Sequence, residues 1–180
     1  QDWKEIFDIG PDSSNGPFAG ACTPWPERLT RFKATMEAYY AASESMALTL
    51  LPDIGECLGE AQGSLEREFG GGHSSFLRLN YYPPCEEPAQ HLGISHHTDA
   101  GALTVLLPDN QPGLQFLRAE SWSTVHAEPD ALIINIGDIV QVWSNDRYRG
   151  RRSSRFFTCT DRLSSRVMSS NINPLDRLPP

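Results

Sequence analysis

His97 and Asp99 stand two residues apart in the run HHTDAGALTVLL. In an extended segment such residues face the same side, so one imidazole and one carboxylate could hold a single ion between them. A neutral imidazole nitrogen with a hard carboxylate oxygen suits iron(II) and leaves open positions for substrate and oxygen. By itself the signal is weak. An H-x-D triplet arises by chance in many proteins, and the bland alternative is a surface histidine beside a solvated aspartate. His96 would face away from His97 on a strand and receives a minor role. His73, His91 and His126 read as ordinary surface histidines unless the fold brings one across. Cys22, Cys57, Cys85 and Cys159 lie far apart with no CxxC pair. That spacing argues against a zinc finger or a disulfide framework and for free thiols in a reducing compartment.

The elements that must position this pair change character along the chain. Residues 1–26 are rich in Pro, Gly, Ser and Asp, which favours an irregular lead-in. From Pro26 a helix is expected, with Leu29, Phe32, Met36, Tyr40, Met46, Ala47 and Leu51 among its apolar positions at three- and four-residue steps. Pro52 interrupts the pattern, and a second helical stretch is expected over 54–69 until the glycines at 70–72 end it. Strand-type runs follow at 75–82, 102–107, 114–117, 131–136 and 139–143, separated by turn signals. Short strands at this spacing suggest a sandwich or barrel and not βαβ units. The expected organisation is mainly β with N-terminal helices: a lead-in over 1–74 and a β domain over 75–180. No internal repeat is visible.

The chain has 180 residues, a net charge of −8 and a basic cluster from Arg147 to Arg166. The acidic balance works against a phosphate-tracking surface, so no nucleic-acid partner is expected. No apolar run reaches the ~20 residues that span a bilayer, and the N-terminus lacks a signal pattern. A cytoplasmic monomer with no membrane partner is the expectation. The start at Gln1 hints at an N-terminal part beyond this sequence.

Three segments in order, FLRLNYYPPC, HLGISHHTDAGALTVLLPDNQPGLQFL and ALIINIGDIVQVWSNDRY, resemble the plant-type, isopenicillin N synthase-like branch of the 2-oxoglutarate and iron(II)-dependent dioxygenases. The resemblance is dense over 75–148 and reaches weakly back to DWKE at 2–5. It implies a double-stranded β-helix (jelly roll), with His97 and Asp99 as ligands of Fe(II). It also implies that Asn80 and Tyr82 line the oxoacid pocket, and that Arg162 and Ser164 grip the distal carboxylate of 2-oxoglutarate. A planar guanidinium can bind a carboxylate through two parallel hydrogen bonds, to which a hydroxyl adds a third. The implied reaction is hydroxylation or a related oxidation of a small organic molecule, with decarboxylation of 2-oxoglutarate to succinate. Asn135, Gly137 and Asp138 match a turn joining two strands, and Trp143, Ser144 and Asn145 a strand end; both receive structural roles.

The pattern breaks after Tyr148, where the text is YRGRRSSRFFTCTDRLSS. The family's distal histidine ligand is absent: Ser153 occupies its position, no histidine follows His126, and the R-x-S element comes about one residue early. A neutral hydroxyl is a poor substitute for imidazole. The Arg- and Ser-rich text over 149–161 has the look of a short reading-frame excursion; resequencing the transcript should show compensating insertions or deletions near codons 150–157, and a clean frame would sink the idea. The rival reading of the whole chain is a catalytically impaired member that keeps the fold as a binding module. A cupin-like module shares the β architecture but does not predict the WSNDRY and LNYYPP texts. A strand over 167–174 is expected to form the C-terminal edge of the barrel, weakened by Ser169 and Ser170.

Overall fold

The computed structural model describes residues 2–10, 23–70, 73–109, 111–118, 120–126, 128–148, 153–155 and 165–174. The elements are β1 (Glu5–Ile9), α1 (Phe32–Leu58), α2 (Ser64–Gly70), β2 (His73–Tyr82), β3 (Ile94–His97), β4 (Leu103–Leu107), β5 (Leu114–Arg118), β6 (Ser121–Thr124), β7 (Ile133–Ile136), α3 (Asp138–Trp143), β8 (Ser153–Arg155) and β9 (Ser165–Pro174). The strands form two antiparallel sheets, one ordered β1-β2-β9-β4-β7 and the other β3-β8-β5-β6.

The helix α1 runs unbroken through Pro52, against the expected interruption. Pro52 removes one helical N–H, but it is exposed, while Ala47, Leu51, Gly55 and Leu58 continue the buried stripe on the opposite face. Burial of that stripe outweighs the lost bond. Gly59 ends the helix in the left-handed region at φ 78°, and the N–H of Glu60 reaches back to the Gly55 carbonyl at 3.0 Å. A glycine accepts that conformation without a Cβ penalty.

Against α1 and α2 lies one side of the five-stranded sheet. Ala47, Leu51, Leu65, Phe69, Ala102, Leu103, Val105 and Val140 form this core, with the ring of Trp143 edge-on to Phe69. At its margin the hydroxyl of Ser75 donates to Glu44 and bonds Tyr40, tying β2 to α1. The other side of the sheet faces the four-stranded one. There Tyr82 and Leu106 pack with Ile94, Leu114 and Ile133.

Several expectations need correction. Residues 139–143 belong to α3, not to a strand. Ile139, Val140 and Val142 suggest a strand by type, but the backbone N–H groups of Gly137 and Asp138 are committed to another loop and turn the chain into a helix. The lead-in holds a strand, β1, whose Asp8 lies opposite Arg78 and pairs with it at 2.7 Å. Phe7 there meets Trp25 and Phe32. Finally, β9 is no edge: it lies between β2 and β4, so its serines sit in the middle of the larger sheet. Among the described residues no helix is long and apolar enough to cross a membrane.

Candidate metal centre

His97 closes β3 and Asp99 follows in the loop before β4, so both come from one short stretch of backbone. The Nδ1 of His97 lies 2.9 Å from the carbonyl oxygen of Ser95. A carbonyl can only accept, so Nδ1 carries the proton and Nε2 is left with its lone pair. That lone-pair nitrogen lies 3.7 Å from Oδ1 of Asp99. Two metal–donor bonds of about 2.1 Å together exceed this separation, so one divalent ion could touch both atoms. The His97 side chain is 38% exposed and that of Asp99 17%, which leaves the pair open on one side.

The INIGD segment holds the pair in place. The side-chain amide of Asn135 donates to Oδ2 of Asp99 at 3.3 Å, leaving Oδ1 toward His97. The Asp138 N–H donates to the Asp99 carbonyl at 2.8 Å, the Gly137 N–H to the Ala102 carbonyl at 3.0 Å, and the Thr98 hydroxyl to the Asp138 carboxylate at 2.6 Å. A Cβ built on Gly137 would stand 1.9 Å from the Gly101 oxygen. With φ at −89°, glycine is required here for space and not for backbone freedom. The residues expected to form a simple turn thus clasp the loop that carries Asp99. The sequence offered a signal for this in their resemblance, but not the contact.

Among the described residues no group of three His, Cys, Asp or Glu side chains could hold an ion. Ser153 lies directly across from His97 in the β3–β8 pairing, so the position expected to supply a third ligand is beside the pair and carries serine. The other histidines lie elsewhere: His96 near Trp122, His73 beside Glu44 and His91 against Trp3, while His126 is exposed.

Asn80 and Tyr82 share the inter-sheet face of β2, both buried. Lys4 extends its ammonium to the Asn80 oxygen at 3.5 Å. Burial pushes that ammonium's pKa down, against an upward pull from Asp2. Ser165, opposite Tyr82, begins β9; Arg162 and Ser164 lie outside the described residues. A cavity of about 380 Å3, lined by Leu114, Phe116, Ile133 and Asn135, opens between the sheets. A second of about 720 Å3, between α1 and β7, is lined by Ile54, Ile134 and Tyr148 and also touches Asn135 and Asp99.

The model of the 2OG-Fe(II) oxygenase superfamily matches residues 73–164. Jasmonate-induced oxygenase 4 of Arabidopsis thaliana is 35% identical over 153 residues, which cover 82% of this chain and 42% of that protein. Flavanone 3-dioxygenase 2 of Oryza sativa subsp. japonica is 40% identical over 126 residues, covering 69% and 36%. A crystal structure of JOX2 in complex with 2OG, Fe and JA superposes with a TM-score of 0.87 at 28% identity, over 99% of this chain and 52% of that one. The chain therefore spans about half or less of the length of the proteins it matches.

Proposed function

The chain belongs to the 2OG-Fe(II) oxygenase superfamily, and from that premise we propose that it is an iron(II)- and 2-oxoglutarate-dependent oxygenase of a small organic molecule. His97 and Asp99 are the metal ligands in this reading. The observation that carries it is the preset donor pair, an imidazole Nε2 freed by the bond at Nδ1 and 3.7 Å from a carboxylate oxygen. Iron bound there would supply the activation of oxygen that couples decarboxylation of 2-oxoglutarate to oxidation of the substrate.

The residues do the positioning. The Ser95 carbonyl holds His97 in one tautomer, and the Asn135 amide steers one Asp99 oxygen away from the ion and the other toward it. Asn80 and Tyr82 form the wall of the oxoacid pocket, and Arg162 with Ser164 take the distal carboxylate. Ser165, which follows Ser164 in the sequence, stands opposite Tyr82 in the β2–β9 pairing, and this supports that assignment. Both cavities reach Asn135, which bonds Asp99, and the larger reaches Asp99 itself, which supports room for small molecules near the pair.

We read the paired sheets as the halves of a jelly roll of the isopenicillin N synthase-like type, spanning 75–180 behind the lead-in of 1–74. A cytoplasmic monomer without a membrane partner belongs to the same reading, and the net charge of −8 supports the absence of a nucleic-acid partner.

The test is anaerobic titration of the chain with iron(II), with and without 2-oxoglutarate, beside His97→Ala and Asp99→Ala, followed by aerobic assay of labelled succinate. Wild type should bind iron and release succinate, and either substitution should abolish both. Equal iron binding by wild type and variants overturns the ligand assignment; iron binding without succinate favours the impaired reading, for which serine opposite His97 is the motive.

A further inference from the structure

β3 is a short strand of the smaller sheet. It is four residues long and lies at one end of its sheet. Its described partner, β8, has three residues, with matched positions only at Ile94 and His97 and a shift of register between them. Among the described residues, the backbone that aims His97 is held on one side by this ladder, with its shift of register before His97.

Residues from the start of the chain hold it on the other side. Oδ1 of Asp2 accepts the Ser95 backbone N–H at 2.8 Å and the Ser95 hydroxyl at 2.7 Å. Asp2 also forms a parallel bridge with Leu92, the N–H of Trp3 donates to the Leu92 carbonyl at 2.8 Å, and the indole of Trp3 lies 5.0 Å from the His91 ring. One oxygen atom thus fixes both donors of Ser95, whose carbonyl in turn accepts the Nδ1 proton of His97.

We propose that Asp2 is a positioning residue for the metal centre: by gripping Ser95 it sets the carbonyl that holds the His97 imidazole with Nε2 toward Asp99. The metal part of this inference rests on the function proposed above; the relay from Asp2 to His97 stands on the hydrogen bonds alone. Burial works to raise the pKa of Asp2, but the two bonds from Ser95 and the nearby Lys4 ammonium outweigh it and leave the carboxyl below its ordinary value. The bonds need an acceptor at Oδ1 and do not need charge, so asparagine should serve and alanine should not.

The experiment compares wild type, Asp2→Asn and Asp2→Ala in two measurements. In the metal-free protein, long-range proton–nitrogen NMR of His97 should show the Nδ1–H tautomer in wild type and Asp2→Asn, and a mixture with Nε2–H in Asp2→Ala. Iron(II) affinity by anaerobic calorimetry should fall about tenfold in Asp2→Ala and stay within about twofold in Asp2→Asn, in line with the usual cost of removing outer support from a ligand histidine. An unchanged tautomer in Asp2→Ala, or an equal loss in Asp2→Asn, overturns the proposal. Should wild type and His97→Ala bind iron alike, the metal reading fails, while the tautomer measurement still decides whether Asp2 positions His97.

Discussion

On β4, Leu103 and Val105 turn toward the helices and are fully buried, whereas Thr104 and Leu106 turn toward the smaller sheet. The same alternation runs through its neighbours: Ser75 meets α1 from one face of β2 while Asn80 and Tyr82 look between the sheets from the other. On β7, Ile133 and Asn135 line the inter-sheet cavity, and Ile134 and Ile136 line the one against α1. The helix-packed face is filled with apolar side chains at Leu103 and Val105 and opens at β7 into the larger cavity, about 720 Å3; the inter-sheet face spends buried positions on Asn80, Thr104 and Tyr82 and holds the smaller one, about 380 Å3, beside Asn135. Period-two alternation gives one sheet an apolar core on one side and the buried Asn80, Thr104 and Tyr82 on the other, and the division is incomplete at Asn135 and Asp99, which also line the cavity against α1.

The largest effect is expected where that separation fails. Gly137 touches the ligand loop through its backbone and precedes α3, which packs into the helix-side core through Val140. Gly137→Ala drives a Cβ into the Gly101 carbonyl, and the loop or the helix must move. A loss of about 4–5 kcal/mol in chemical denaturation is expected, together with weakened iron binding in whatever remains folded. Near-wild-type stability would mean that the clasp is slack. Phe69→Ala tests the helix-packed face alone. Its ring is fully buried against Trp143, so about 3–5 kcal/mol should be lost, while iron affinity of the folded fraction at low temperature stays within about twofold. A parallel loss of iron affinity would show that the faces are coupled.

The opposite behaviour is expected on the chemical side. Asn135→Ala removes the donor to Asp99 and should lower iron affinity about tenfold, read by calorimetry, with a stability change of about 1 kcal/mol. Ser153→His sharpens the same point in the reverse direction. Residues directly opposite in an antiparallel pair share a face, so an imidazole at 153 enters the pairing beside His97 and should raise iron affinity about tenfold or more. No gain would place the missing ligand elsewhere.

How much of this was legible in the sequence follows the same division. Strands β2, β4, β5 and β7 and the apolar stripe of α1 were visible because alternation and helical steps are local patterns. The H-x-D pair was visible because its ordered flanking motifs resembled a family to which the chain proved to belong. What stayed hidden depends on partners distant in the chain: Asp8 with Arg78, Asp2 with Ser95, and the Asp99 loop with residues 135–138. Asp2 and Ser95 are 93 residues apart, and no spacing rule connects them. The helix over 138–143 was misread as a strand because β-branched residues dominate it, and only the tertiary bonds at Gly137 and Asp138 reveal the turn into helix.

The smallest effect concerns the polar margin of the otherwise apolar helix-packed face. There Tyr40, Glu44 and Ser75 form a connected set, and burial pushes the Tyr40 phenol up to about 12, with the Ser75 bond acting against it and the Glu44 charge acting with it. A pKa raised in the folded state means that folding favours the protonated phenol. Its contribution to stability is therefore intact below the ordinary value of about 10 and is lost as pH rises through about 12. Tyr40→Phe gives up the bond to Ser75 and should cost about 1 kcal/mol at neutral pH. Because the variant has no phenol to ionise, the gap between it and wild type should shrink between about pH 10 and about pH 12, followed by urea midpoints at each pH. A gap that stays constant would show that Tyr40 is no better shielded than an ordinary surface tyrosine.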